Sequence, residues 1–116
     1  MKILLAEDDF VTRKFMANFL SKYGDCDVTV DGMEAVDAYM MALEDDDPYD
    51  LVCLDIMMPV MDGYQALVGI RNLEKAHNVP EEKQAKVIMA TATTNNAAVP
   101  TMTLRVLAST HSRARS

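Results

Sequence analysis

Tyr49-Asp50-Leu51-Val52-Cys53-Leu54-Asp55-Ile56-Met57-Met58-Pro59-Val60-Met61-Asp62-Gly63 is the stretch on which the fold turns. Its first half is a near-continuous apolar run, the pattern of a strand covered on both faces, and it stops at an acid, Asp55. Its second half is broken by Pro59 and Gly63 and reads as a loop. Beyond it, Leu67, Ile70 and Leu73, with Val68, recur at helical spacing to about Ala76. A buried strand followed by a loop and a helix is half of a parallel crossover.

The same unit appears on either side. Lys2-Ile3-Leu4-Leu5-Ala6 is an apolar strand that runs into Glu7-Asp8-Asp9. Phe10 to Tyr23 follows as a helix, with Phe15, Met16, Phe19 and Leu20 forming the inward stripe and Gly24 at the C-cap position. Cys26 to Val30 is a second strand, and Asp31-Gly32-Met33-Glu34 resembles a capping box opening a helix through Leu43. Lys86 to Ala90 is a fourth strand, ending at Thr91. The order βαβαβαβ predicts an α/β fold, a doubly wound parallel sheet with helices on both faces. Ligands of such sheets gather at the carboxyl ends of the strands, which here carry Asp8, Asp9, Asp55 and Thr91.

Composition agrees with one globular domain. The chain has 116 residues, 50% of them hydrophobic and 25% charged. Eighteen acids against eleven basic residues leave a net charge of −7, which argues against nucleic acid and against an anionic membrane, and favours a cation. The apolar runs are too short to span a bilayer, so a cytoplasmic protein is expected. Cys26 and Cys53 lie in strand-like runs and read as buried, reduced thiols without zinc spacing. Glu44 to Pro48 reads as a solvated acidic connector, and His77 and His111 as surface residues.

Carboxylates gathered at one crevice repel one another, and a hard divalent cation relieves that conflict. Magnesium suits the oxygen donors and completes its shell with water and phosphate oxygens; the spacing after Asp62-Gly63 is not that of a calcium-binding loop. A carboxylate beside such a cation can accept a phosphoryl group as a mixed anhydride, which makes Asp55 the candidate nucleophile and Thr91 a neutral donor to the transferred oxygens.

Asp8-Asp9 after the first strand, Asp55-Ile56-Met57-Met58-Pro59-Val60-Met61-Asp62-Gly63 after the third and Thr91-Ala92 after the fourth resemble the receiver domain of two-component response regulators. The resemblance covers residues 1–95 and implies a flavodoxin-like fold and a role in phosphorelay signal transduction. It makes Asp55 the phosphoacceptor, Asp9 a direct Mg2+ ligand, Asp8 a second acid, and Met57 a ligand through its backbone carbonyl. Thr91 would bond a phosphoryl oxygen. The implied donor is a sensor histidine kinase or a small acyl phosphate, and the domain would be a switch, not an enzyme.

Residues 96–116 diverge. The Lys-Pro pair and the aromatic residue of the family's fifth strand are absent there, so the fifth strand and fifth helix are expected to be missing or altered. The segment has room for one helix around Val99 to Ala108 and ends in a basic tail with Arg113 and Arg115. All eighteen acids precede it. Losing the lysine would weaken phosphorylation, and an uncovered sheet edge would invite a homodimer or a segment-swapped dimer. The rival from the binding class is a receiver-derived dimerisation or adaptor module that no longer switches. A phosphatase of the haloacid dehalogenase type would need Asp-x-Asp after its first strand, where this chain has adjacent Asp8-Asp9.

Overall fold

The computed structural model describes residues 1–94 and 100–105. Strand β1 (Lys2–Ala6) leads through helix α1 (Phe10–Leu20) to β2 (Asp25–Thr29), then α2 (Gly32–Glu44), β3 (Leu51–Asp55), α3 (Gly63–Ala76), a short 3-10 turn at Glu81–Lys83, β4 (Lys86–Thr94) and β5 (Pro100–Arg105). The sheet order is β2-β1-β3-β4-β5, with the first four strands parallel. Order reverses at β1, so β1 and β3 are neighbours whose carboxyl ends open on one crevice.

Period-two alternation divides the core. Leu4, Ala6, Val52, Leu54, Val87 and Met89 face α2 and α3, while Ile3, Leu5, Cys53 and Ala90 face α1. On the first side Tyr39 and Ile70 are fully buried, and so is one acid, Glu74. Glu74 accepts hydrogen bonds from the Tyr39 hydroxyl, the Ala85 N–H and the Arg71 guanidinium, tying α2, α3 and the start of β4 together.

Three expectations need correction. The inward stripe of α1 is Thr12, Met16 and Leu20, whereas Phe15 and Phe19 are exposed. Both stripes have a spacing of four, and the sheet accepts the slimmer one. In α3, Val68 is likewise exposed, and the buried positions are Gly63, Ala66, Ile70 and Glu74. Around Val99 to Ala108 a helix was expected, but Pro100–Arg105 is a strand antiparallel to β4, with Thr103 opposite Thr91. Thr101-Met102-Thr103-Leu104 alternates polar and apolar residues and holds two β-branched threonines, a strand pattern, and proline is tolerated at a strand's first residue. The sheet is thus four parallel strands with an antiparallel edge. The tail and the fifth helix fall on residues 106–116, outside the described residues. Cys53 is buried and Cys26 half-buried, both free thiols.

Candidate metal centre

Parallel register fixes the geometry of the crevice. Ala6 pairs with Leu54, so Glu7, the first residue after β1, lies beside Asp55, the last of β3. Carboxylate oxygens of Glu7, Asp8 and Asp55 lie within 4.8 Å of one another, the first and last buried and Asp8 exposed. Asp9 is not part of this group. Its side chain accepts the Thr12 N–H at 2.8 Å as the N-cap of α1, and that bond holds its carboxyl below the usual carboxylate range. Of the two acids expected to bind metal after β1, Asp8 lies in this cluster and Asp9 does not, while Glu7, the first residue after the strand, does.

The acid limb is held from behind. Arg13, one turn into α1, donates from one guanidinium nitrogen to the carbonyls of Glu7 at 3.0 Å and Asp8 at 3.2 Å, and the Asp9 N–H reaches the Glu7 carboxylate at 3.1 Å. Composition and motif did not single out Glu7 or Arg13. Glu7 was legible as the first residue after β1, and Arg13 lies four residues past the N-cap, where a side chain can turn back on the preceding loop.

The second limb is the loop after β3. The Ile56 N–H bonds the Ala90 carbonyl of β4 at 3.1 Å, and the Met57 N–H approaches the Asp55 carboxylate at 3.3 Å. The loop closes where the Gly63 N–H meets the Ile56 carbonyl at 3.1 Å, and a Cβ on Gly63 would lie 2.4 Å from the Asp55 carbonyl, so only glycine fits. Asp62 and Gln65 complete a reciprocal capping box that starts α3 there. Within the loop Val60 adopts φ 70°, and the Met61 N–H bonds the Pro59 carbonyl at 2.7 Å, a tight γ-turn strained for a β-branched residue. Beside the acids lies an open cleft of about 520 Å³ lined by Asp8, Ile56 to Pro59, Asp62 and Tyr64. Thr91 is the residue of β4 after Ala90, which pairs with Asp55, and β4 continues past it to Thr94.

Burial pushes the Glu7 carboxyl up to about 8; the Asp9 N–H pulls it down, and the nearby Asp55 and Asp8 push it up again. Asp55 is also raised by burial, while bonds from Glu7 and the Met57 N–H oppose the shift. Burial thus raises both carboxyls of the pair, Glu7 the further. Three hard oxygen donors, two of them desolvated and in electrostatic conflict, are the donor set that Mg2+ fits, since one cation removes the conflict and leaves positions for water and phosphate oxygens.

Comparison with known proteins agrees. The response regulator receiver domain family matches residues 3–108. Hybrid signal transduction histidine kinase B of Dictyostelium discoideum is 37% identical over 99 residues, covering 82% of this chain but only 5% of that protein. The chain thus spans a small part of this curated relative. The receiver domain of the histidine kinase CKI1 from Arabidopsis thaliana, crystallised with Mg2+ and BeF3−, superposes with a TM-score of 0.68 at 26% identity, covering 83% of this chain and 68% of that one. In a co-crystal from Saccharomyces cerevisiae of the histidine phosphotransfer protein Ypd1 with the receiver domain of Ssk1, the match has a TM-score of 0.60 at 26% identity, over 84% of this chain and 66% of that one. With the βα alternation, the strand-end acids and the loop from Asp55 to Gly63 in place, the chain belongs to the response regulator receiver domain family.

Proposed function

We propose that this chain accepts a phosphoryl group on Asp55 in a phosphorelay, with Mg2+ held by Glu7, Asp8 and Asp55. The observation that carries this is the convergence of those three carboxylates within 4.8 Å beside an open cleft. The Met57 backbone carbonyl is a fourth ligand in this proposal, and the Thr91 hydroxyl bonds a phosphoryl oxygen. Bound Mg2+ would neutralise charge on the phosphoryl oxygens. Asp55 attacks phosphorus in line; the donor's P–N or P–O bond breaks as the Asp55 P–O bond forms, and the leaving group departs with the electron pair. The chain supplies the nucleophile and holds its carboxylate through the Met57 N–H.

The donor is a phosphohistidine of a kinase or phosphotransfer protein, or a small acyl phosphate. The surface suits a protein donor. Phe10, Val11 and Phe15 on the α1 side and Met57, Val60 and Tyr64 on the loop side are exposed, so an apolar rim flanks the acid centre. Residues 10–24 hold Arg13, Lys14 and Lys22 and no acid, so this face of an acidic chain suits an acidic partner.

Incubation with radiolabelled acetyl phosphate tests the proposal. Label should enter the parent chain only with Mg2+ present and should be absent from Asp55→Asn. Label that enters Asp55→Asn as well as the parent would remove Asp55 from its role, and labelling of neither chain would support the adaptor reading.

A further inference from the structure

The centre is built from two limbs, Glu7-Asp8 after β1 and the loop from Asp55 to Gly63 after β3, and one short segment touches both. At one end of that segment the Thr29 carbonyl accepts the Glu7 N–H at 3.1 Å, while the Thr29 hydroxyl bonds the Leu5 carbonyl at 2.9 Å. Three residues on, the Gly32 N–H donates to the Met61 carbonyl at 3.1 Å. Between them Asp31 caps α2 by accepting the Glu34 N–H at 2.9 Å, and Glu34 reaches back to the Val30 N–H at 3.1 Å, so the segment is itself fixed.

Contact with the loop is close enough to demand glycine. A Cβ on Gly32 would lie 2.2 Å from the Met61 carbonyl oxygen and 2.9 Å from its carbon, and both are backbone atoms that cannot rotate away. Met61 closes the strained turn at Val60, and two residues later Gly63 lies against the Asp55 carbonyl. A displacement of Met61 is therefore passed in both directions along the loop that carries Asp55 and Met57.

We propose that Gly32 is a positioning residue of the cation site: through Thr29 on one side and Met61 on the other, the start of α2 sets the separation of the Glu7-Asp8 limb from the Asp55 limb. This rests on the cation site proposed above. Groups that orient ligands from behind typically change metal affinity about 10–100-fold when altered.

The test is a calorimetric Mg2+ titration of the full chain, of Gly32→Ala and of Gly69→Ala. Gly69 also sits at the α2–α3 contact, its added Cβ falling 3.1 Å from Val36 Cγ2, but it touches neither limb. Gly32→Ala is expected to weaken Mg2+ binding about tenfold or more. Gly69→Ala is expected to stay within about twofold of the parent even where its melting temperature falls equally, because it moves no group that orients a ligand. Parent-like binding by Gly32→Ala, or an equal loss in Gly69→Ala, overturns the inference. A parent chain that takes up no Mg2+ overturns the cation site and this inference with it. Should Gly32→Ala fail to fold, replacing the Gly32 amide by an ester removes the N–H without adding bulk, and the same titration on that chain decides.

Discussion

Protonation of Glu7 should gate cation uptake. Its residue is 4% exposed, and burial, reinforced by Asp55 and Asp8, lifts its carboxyl from an ordinary 4.5 to about 8. A cation that binds the carboxylate must displace that proton, so affinity follows the ionised fraction of Glu7. That fraction is about one in 100 at pH 6, about one in 11 at pH 7 and nearly all at pH 9. Mg2+ affinity should therefore rise about 100-fold from pH 6 to pH 9, with about 0.9 proton released per ion bound at pH 7. Calorimetry across this range, repeated in two buffers of different ionisation enthalpy, reads both quantities. Glu7→Gln keeps an oxygen ligand but has no proton to lose, and its affinity should be flat. Stability without Mg2+ should move the other way. The unfolded chain releases this proton near 4.5 and the folded chain only near 8, so the folded state holds more protons between those values and stability falls as pH rises through them. Affinity independent of pH from 6 to 8 in the parent, or a slope retained by Glu7→Gln, refutes the reasoning.

Asp9→Ala should lower the melting temperature through loss of the α1 cap yet leave Mg2+ affinity within about twofold, while Asp8→Ala weakens it; the reverse ranking would return Asp9 to the metal. Glu74→Ala should cost about 3–5 kcal/mol in urea unfolding, because it strands a guanidinium, a hydroxyl and an amide in the interior. A cost below about 1 kcal/mol would make that network no stronger than a surface ion pair. Val60→Gly relieves the left-handed strain at φ 70° and should stabilise the fold by about 1 kcal/mol, seen as a higher melting temperature. A fall in melting temperature would show that the turn is not strained.

The sequence carried the architecture because strand and helix periods differ and three of the four parallel strands, β1, β3 and β4, read as apolar runs stopped by a polar residue. It carried Asp8 and Asp55 for the same reason, since Asp55 ends β3 and Asp8 lies two residues past the end of β1. Glu7-Asp8-Asp9 was harder to read, because three acids in a row admit two registers for an acid pair. Helix α1 decides between them, since the residue before Phe10 must serve as its cap. The α1 stripe was misread because Phe15 and Phe19 are more apolar than Thr12 and Met16, although the spacing is identical; exposure is settled by what packs above, which one helix cannot reveal. Glu74 escaped because a buried acid is recognised by its partners, and Tyr39 and Ala85 are distant in sequence. At Pro100 to Arg105, the alternation of polar and apolar residues outweighs the room the segment offers for a helix.

The central claim is that Asp55 receives the phosphoryl group. Its most direct test is intact-mass analysis of the chain after incubation with acetyl phosphate and Mg2+, followed by borohydride reduction and peptide mapping of the acyl adduct. One phosphoryl group per chain, mapped to Asp55 and lost when Mg2+ is chelated, is the predicted result. An unmodified chain at saturating donor and Mg2+, or an adduct that maps to another residue, would contradict it.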